Sequence, residues 1–241
     1  MMTEYTPHLA PLATLLFLAA LLLAGLGLLA MVLGAVRRAP LLAGVAAAAT
    51  AMVAGGYLFL VVGVSAISRD KVLPPGGLKY FCELDCHLAY SLVGWYETAA
   101  LGPELKQTAA QGQFVVVQIR TWFDERTISP QRGDGPLTPN RRRVFLVDNT
   151  GRRFAVSQEG EQALVQSGAS GARPLTQSLR PSESYITKLV FDVPPETRGL
   201  RLLLTEDSPE TRFVIGHENS FLHQKIYLGL GADPHWSANF R

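Results

Sequence analysis

Hydrophobic positions run almost unbroken near the start of the chain and alternate with polar ones after it. His8–Val36 and Leu41–Ile67 contain no Asp, Glu, Lys or Arg. Each exceeds the roughly 20 apolar residues that cross a bilayer's hydrocarbon core. Only Arg37, Arg38, Ala39 and Pro40 separate them, which predicts a tight transmembrane hairpin with spans 8–36 and 41–67. Residues 1–7 carry Glu4 and no Lys or Arg, so the basic n-region of a signal peptide is missing, and the first run is too long for an h-region. Two true spans are therefore expected.

From Lys71 the pattern shifts to short Val-, Ile-, Phe- and Tyr-rich runs between turn residues. Leu-Pro-Pro-Gly-Gly at 73–77 reads as a linker, which gives a hairpin over 1–70, a linker over 71–85 and one domain over 86–241. Strands are predicted at His87–Glu97, Gln113–Phe123, Arg143–Asp148, Arg153–Ser157, Tyr185–Asp192, Leu200–Thr205, Thr211–Ile215 and Lys225–Leu230. Asp-Asn-Thr-Gly at 148–151 marks a hairpin turn, and Glu159–Gln166 a short helix crossing between sheets. Eight strands at this spacing predict an all-β antiparallel sandwich. Its core candidates are Ile119, Trp122, Phe145, Phe154, Val190, Phe191 and Leu203.

Two segments carry a family resemblance. Gly-Gln-Phe-Val-Val-Val-Gln-Ile-Arg-Thr-Trp-Phe-Asp (112–124) and Leu-Arg-Pro-Ser-Glu-Ser-Tyr-Ile-Thr-Lys-Leu-Val-Phe-Asp-Val-Pro (179–194) resemble strands of bacterial membrane-tethered, immunoglobulin-like extracytoplasmic domains. The likeness spans about residues 85–230. It implies an immunoglobulin-like sandwich and carries no activity. Ser182 stands where such turns often hold Gly.

The Lys/Arg distribution orients the hairpin. Arg37 and Arg38 occupy the connecting loop and the N-terminal tail has no basic residue, which places the loop in the cytoplasm and the domain outside. In a bacterium this is an inner-membrane protein with a periplasmic domain. The spans hold no internal charge or His, and His8 lies at the very edge, which favours anchoring over transport. Ala20, Ala24, Gly27 and Gly34 form one stripe of small residues and Ala47, Ala51 and Gly55 another, as helix packing requires. The outward faces suit lipid or a partner's helices.

Chemistry concentrates in Phe-Cys-Glu-Leu-Asp-Cys-His at 81–87. Cys82 and Cys86 can form a disulfide, remain free thiols, or join His87 and His217 or His223 as copper or zinc ligands. A disulfide requires the segment to curl so that the two Cα atoms lie within about 7 Å. The dinuclear-copper subunit of cytochrome oxidase also joins two spans to an outer β-domain with a Cys-x-x-x-Cys pair. Its pair comes late and is followed by His and Met, whereas Cys82 and Cys86 come first and no Met follows Met52.

Other signals concern docking. Arg141, Arg142 and Arg143 form a basic stretch suited to a solvated face, an acidic partner or lipid headgroups, and Trp236 and Phe240 an aromatic tail that would bury against the domain or a partner. Loop 124–142 is long and rich in Pro, Gly and Arg. Net charge is +2 and no basic helix or aromatic stacking set stands out, which argues against nucleic acid. No complete catalytic motif is present. The expectation is a non-enzymatic accessory or scaffolding subunit of a larger membrane complex, respiratory or reaction-centre–antenna, without a cofactor. The alternatives are a copper-binding or redox protein and a sensor module.

Overall fold

The computed structural model describes residues 3–82, 86–127, 132–168 and 173–231. The chain forms two compact units: Met1–Pro7, Asp70–Asp207 and Lys225–Arg241 make one, His8–Arg69 and Ser208–Gln224 the other.

In the second unit, α1 (Ala10–Val36) and α2 (Pro40–Ala66) are both long and apolar enough to cross a membrane. Each carries Pro in its first turn, where the missing N–H costs no helical hydrogen bond. Arg38 takes the left-handed conformation in the connection, at φ 53°. The helices meet along small residues. A Cβ on Gly27 would lie 1.9 Å from the Thr50 hydroxyl oxygen, and one on Gly34 would lie 2.8 Å from the Ala43 backbone nitrogen. Ala20 and Ala24 share that side of α1 at helical spacing, both half-buried. On α2 the expected stripe is displaced. Ala47 is half-buried, but Ala51 and Gly55 are exposed and a Cβ on Gly55 would meet nothing within 4 Å. The face in use runs Ala43, Ala46, Thr50, Val53, Tyr57, Val61, in steps of three or four residues as helix packing demands. Polar Thr50 joins it because its hydroxyl donates to the Ala46 carbonyl at 2.8 Å.

The other unit is a sandwich of two five-stranded sheets. Its strands are β1 (Glu4–Tyr5), β2 (Lys71–Leu73), β3 (Leu78–Phe81), β4 (Leu88–Leu101), β5 (Thr108–Phe123), β6 (Arg142–Val147), β7 (Arg153–Ala155), β8 (Ser184–Val193), β9 (Arg201–Glu206) and β10 (Ile226–Gly229). One sheet runs β1-β3-β4-β5-β8 and the other β2-β10-β9-β6-β7. Pairing is antiparallel except at two edges, where β1 joins β3 and β2 joins β10 in parallel. The stretch expected as a linker thus supplies a strand to each sheet, with Pro74–Gly77 turning between them. Its brevity and its Pro-Pro-Gly-Gly sequence concealed two short strands, β2 at a sheet edge and β3 between β1 and β4.

Alternation sets the core. Val115, Val117, Ile119 and Phe123 of β5 face Leu202 and Leu204 of β9 and Val144 and Leu146 of β6 within one buried cluster. Trp122, one residue out of phase, points to the other face and is half-buried. Val190 is likewise outward, under helix α3 (Gln158–Gln166), which links β7 of one sheet to β8 of the other and covers Phe114, Val116 and Val190. Phe145 and Leu203 pack with Val147 and Tyr227 on the outer side of their sheet, while Phe154 joins the main core from its edge. A bulge between Leu92 and Gly94 changes the phase of β4, so that Leu88, Tyr90 and Leu92 before it and Trp95 after it all reach the interior.

Two turns follow their sequence signals. Asp148 accepts from the Thr150 and Arg152 N–H groups at 2.9 Å each, and Gly151 adopts φ 87°. Pro181-Ser182 occupies the centre of a turn closed by the Glu183 N–H on the Arg180 carbonyl, and Ser182 has φ 69°, the conformation that favours Gly. The strand expected over Thr211–Ile215 is instead a 3-10 turn, Pro209–Phe213. Pro209 lacks an N–H for a ladder, and the Thr211 hydroxyl bonds locally to the Ser208 carbonyl.

Candidate functional site

Cys82, just after β3, and Cys86, just before β4, form a disulfide with Cα atoms 4.3 Å apart. Both sulfurs are thereby consumed, and neither is a thiolate ligand in this state. His87 is buried, stacked on Phe123 with ring centroids 5.4 Å apart. Its Nδ1 lies 2.7 Å from the Thr127 hydroxyl, whose single proton is donated to the Asp124 carbonyl. Nδ1 is therefore the donor, which fixes the tautomer.

The neighbouring polar network centres on Asp124, just past the end of β5. The Tyr80 hydroxyl donates to its carboxylate at 2.5 Å. Arg126 grips both oxygens, through Nε at 2.9 and 3.1 Å and Nη2 at 2.7 Å, and its backbone N–H adds a bond at 3.0 Å. Burial pulls the Asp124 carboxyl up, but the Arg126 and Tyr80 hydrogen bonds outweigh it and the net direction is down. Burial, and then the Asp124 carboxylate, hold the Tyr80 phenol far above its ordinary value. The Arg126 guanidinium is raised by the same carboxylate. A carboxylate this fully engaged holds a rim together and is a poor proton acceptor. Arg120 and Arg126 both stack on the Trp122 ring, at 5.5 and 5.4 Å, beside this network.

A second ionic set lies between the sheets. Arg142 Nη1 meets Glu206 Oε1 at 2.7 Å, with both side chains almost fully buried. The Arg142 guanidinium sits 4.1 Å from the Phe81 ring centroid and 5.6 Å from that of Tyr90. Lys79, 1% exposed, donates from Nζ to the Leu204 and Ile226 carbonyls at 2.6 and 2.9 Å, so a strand of one sheet grips two strands of the other. The expected basic docking stretch is thereby corrected: strand alternation sends Arg142 inward with Val144 and Leu146, while exposed Arg143 pairs with Asp207 and Arg141 lies outside. The signal was available, since Arg142 and Glu206 both fall in phase with core residues of β6 and β9. Asp124 and Tyr80 carried no such periodic mark.

His217 Nδ1 accepts from the Asn219 N–H at 3.0 Å, and His223 Nδ1 donates to the Gln224 carbonyl at 2.7 Å. Both belong to the helical unit, whereas Cys82, Cys86 and His87 belong to the sandwich. Among the described residues, no three His, Cys, Asp or Glu side chains gather in a way that could hold a metal ion. Trp236 and Phe240 lie outside the described residues.

No family model and no curated protein matches the chain. Among solved structures it is similar to the secreted protein MPT63 from Mycobacterium tuberculosis, at 11% identity and a TM-score of 0.41, over 67% of this chain and 98% of that one. An uncharacterized β-sandwich protein from Clostridium difficile 630 matches at 12% identity and a TM-score of 0.38, over 68% and 96%. A conserved hypothetical protein from Bacillus anthracis matches at 14% identity and a TM-score of 0.37, over 49% and 81%. No family membership is shown for this chain.

Proposed function

We propose that the protein is a non-catalytic, membrane-anchored accessory subunit. Its hairpin holds the β-sandwich on the outer side of a bacterial inner membrane, in the periplasm, where the sandwich docks onto a larger complex of the respiratory or reaction-centre–antenna kind. One observation carries the reading. The helices approach most closely through Gly27–Thr50 and Gly34–Ala43, while most of the large side chains, such as Leu22 and Phe59, face outward. This is the arrangement of an anchor whose outer surface is left for lipid or other helices.

Two further features support it. A disulfide between Cys82 and Cys86 suits an oxidising compartment. The ionisable groups described above serve internal contacts, which leaves surface recognition as the sandwich's means of action. The docking face best suited to this is the Trp122 ring between Arg120 and Arg126, since Trp and Arg dominate the energetics of protein interfaces.

Gentle purification from the native membrane tests the proposal, with absorbance and metal content recorded. Co-purification with a haem- or pigment-bearing complex, lost in Trp122→Ser while the sandwich stays folded, is the expected result. A solitary protein carrying stoichiometric copper would overturn it in favour of a redox site.

A further inference from the structure

Within the helical unit, Ser208–Gln224 lies along one face of α2. The Tyr57 hydroxyl donates to the Phe213 carbonyl at 2.7 Å. A Cβ on Gly216 would stand 3.8 Å from a Val64 methyl, and the Gln224 N–H donates to the Ser68 hydroxyl at 2.9 Å. Tyr57, Val61, Val64 and Ser68 recur every three or four residues, and Val61 and Ser65 on this side are 0% exposed while Phe59 is 76% exposed. The segment therefore follows the helix inward from its outer end.

Depth follows from helix geometry. Tyr57 precedes the end of α2 at Ala66 by nine residues, about 13 Å along the axis. A 27-residue helix is about 40 Å long and the hydrocarbon core about 30 Å thick, so roughly 5 Å of each end lies among headgroups. Phe213 then meets α2 about 8 Å inside the hydrocarbon boundary, within the depth range of interfacial segments.

The segment is built for that place. Between its ends, three polar side chains turn inward: Thr211, Glu218 and Ser220 are buried. Asn219 Nδ2 donates to the Thr211 hydroxyl at 3.2 Å, and the Ser220 hydroxyl donates to the Val214 carbonyl. The N–H groups of Thr211, Val214, His217, Ser220 and His223 each donate to the carbonyl three residues back, so successive turns satisfy the backbone locally. Its large apolar side chains turn outward: Phe213, Phe221 and Leu222 are exposed, with the two rings 5.5 Å apart edge to face. This polarity is inverted for water and correct for lipid. Arg212 and Glu210, also exposed, have reach toward the headgroups from the segment's start.

We propose that Ser208–Gln224 is a membrane-inserted segment seated in the outer leaflet, with Phe213, Phe221 and Leu222 among the acyl chains. This rests on the membrane-anchor reading. The test places single spin labels by Phe221→Cys and Leu222→Cys in the full chain, reconstituted in phosphatidylcholine–phosphatidylglycerol vesicles. The native cysteines are paired and do not react. Phe59→Cys on the outward face of α2 and Leu105→Cys on a fully exposed sandwich turn are the references. Collisional accessibility to oxygen relative to a water-soluble nickel chelate should rise at both 221 and 222 from the residue-105 level to the residue-59 level. Labels at 221 and 222 that match residue 105, while residue 59 remains lipid-like, would overturn the insertion and leave the anchor standing. Protection from both reagents would assign the patch to a protein partner and overturn it equally. A water-exposed residue 59 would remove the anchor itself, and the insertion with it.

Discussion

The helical hairpin and the β-sandwich follow opposite rules of burial. In the sandwich Phe123, Ile119 and Phe191 are 0% exposed, packed between sheets. In the hairpin the buried helix residues are mostly small, Ala13, Gly34, Ala46 and Ser65 beside Val61, while Leu22 is 64% exposed. Water drives large apolar groups inward, whereas lipid offers no such gradient and leaves close backbone approach and van der Waals contact to hold helices together. The same side chain therefore means different things in the two units.

The same contrast recurs within the sandwich. Arg142–Glu206 and Arg143–Asp207 are adjacent ion pairs on one strand pair, the first enclosed and the second exposed. Glu206→Gln leaves the Arg142 charge buried beside a neutral partner and should lower sandwich stability by about 3–5 kcal/mol in denaturant unfolding. Replacing both partners, Arg142→Met with Glu206→Leu, should recover most of that loss. Asp207→Asn should cost less than about 1 kcal/mol. An equal effect at both pairs would erase the distinction.

Phe123→Ala should also cost about 3–5 kcal/mol. Phe59→Ala, a comparable truncation on the outward helix face, should leave sandwich unfolding unchanged. The Cys82→Ser, Cys86→Ser double variant opens a very short loop, and chain entropy predicts a loss of about 2 kcal/mol. Gly34→Leu drives a side chain into the Ala43 backbone and should weaken the hairpin by about 1–3 kcal/mol, read as helix separation in micelles. Gly55→Leu, facing open space, should be silent.

The smallest effects lie at the rim. The Asp124 and Asp148 carboxyls are both depressed in the folded state. Their contribution is complete above the unfolded carboxylate value near 4 and is lost as pH falls below it. Acid titration of sandwich stability should show this limb, and Asp124→Asn should flatten it. Ser182→Gly relieves a left-handed backbone at φ 69° and should add up to about 1 kcal/mol.

Much of the architecture was legible in composition and period. The hairpin needs only two uninterrupted apolar runs, and β5 and β8 declare themselves by long alternation. The candidate site was less legible. The Cys82–Cys86 pair was one option among three, and Asp124 closes its network through Tyr80, 44 residues away in sequence. Residues 71–81 hid two short strands because three- and four-residue runs lack enough period to be recognised.

By itself, the sequence determined which segments favour lipid and which favour a pleated, half-buried sheet, since both preferences are local and additive along the chain. Only the tertiary structure decided phase and partnership: that Arg142 turns inward and Arg143 outward, that α2 uses Thr50 and Val53 rather than Ala51 and Gly55, and that Ser208–Gln224 lies on α2. A one-residue shift of phase reverses a strand's faces, and a contact between residues 57 and 213 leaves no trace in either neighbourhood. Such outcomes depend on which surfaces meet, and that is settled only when the whole chain is packed.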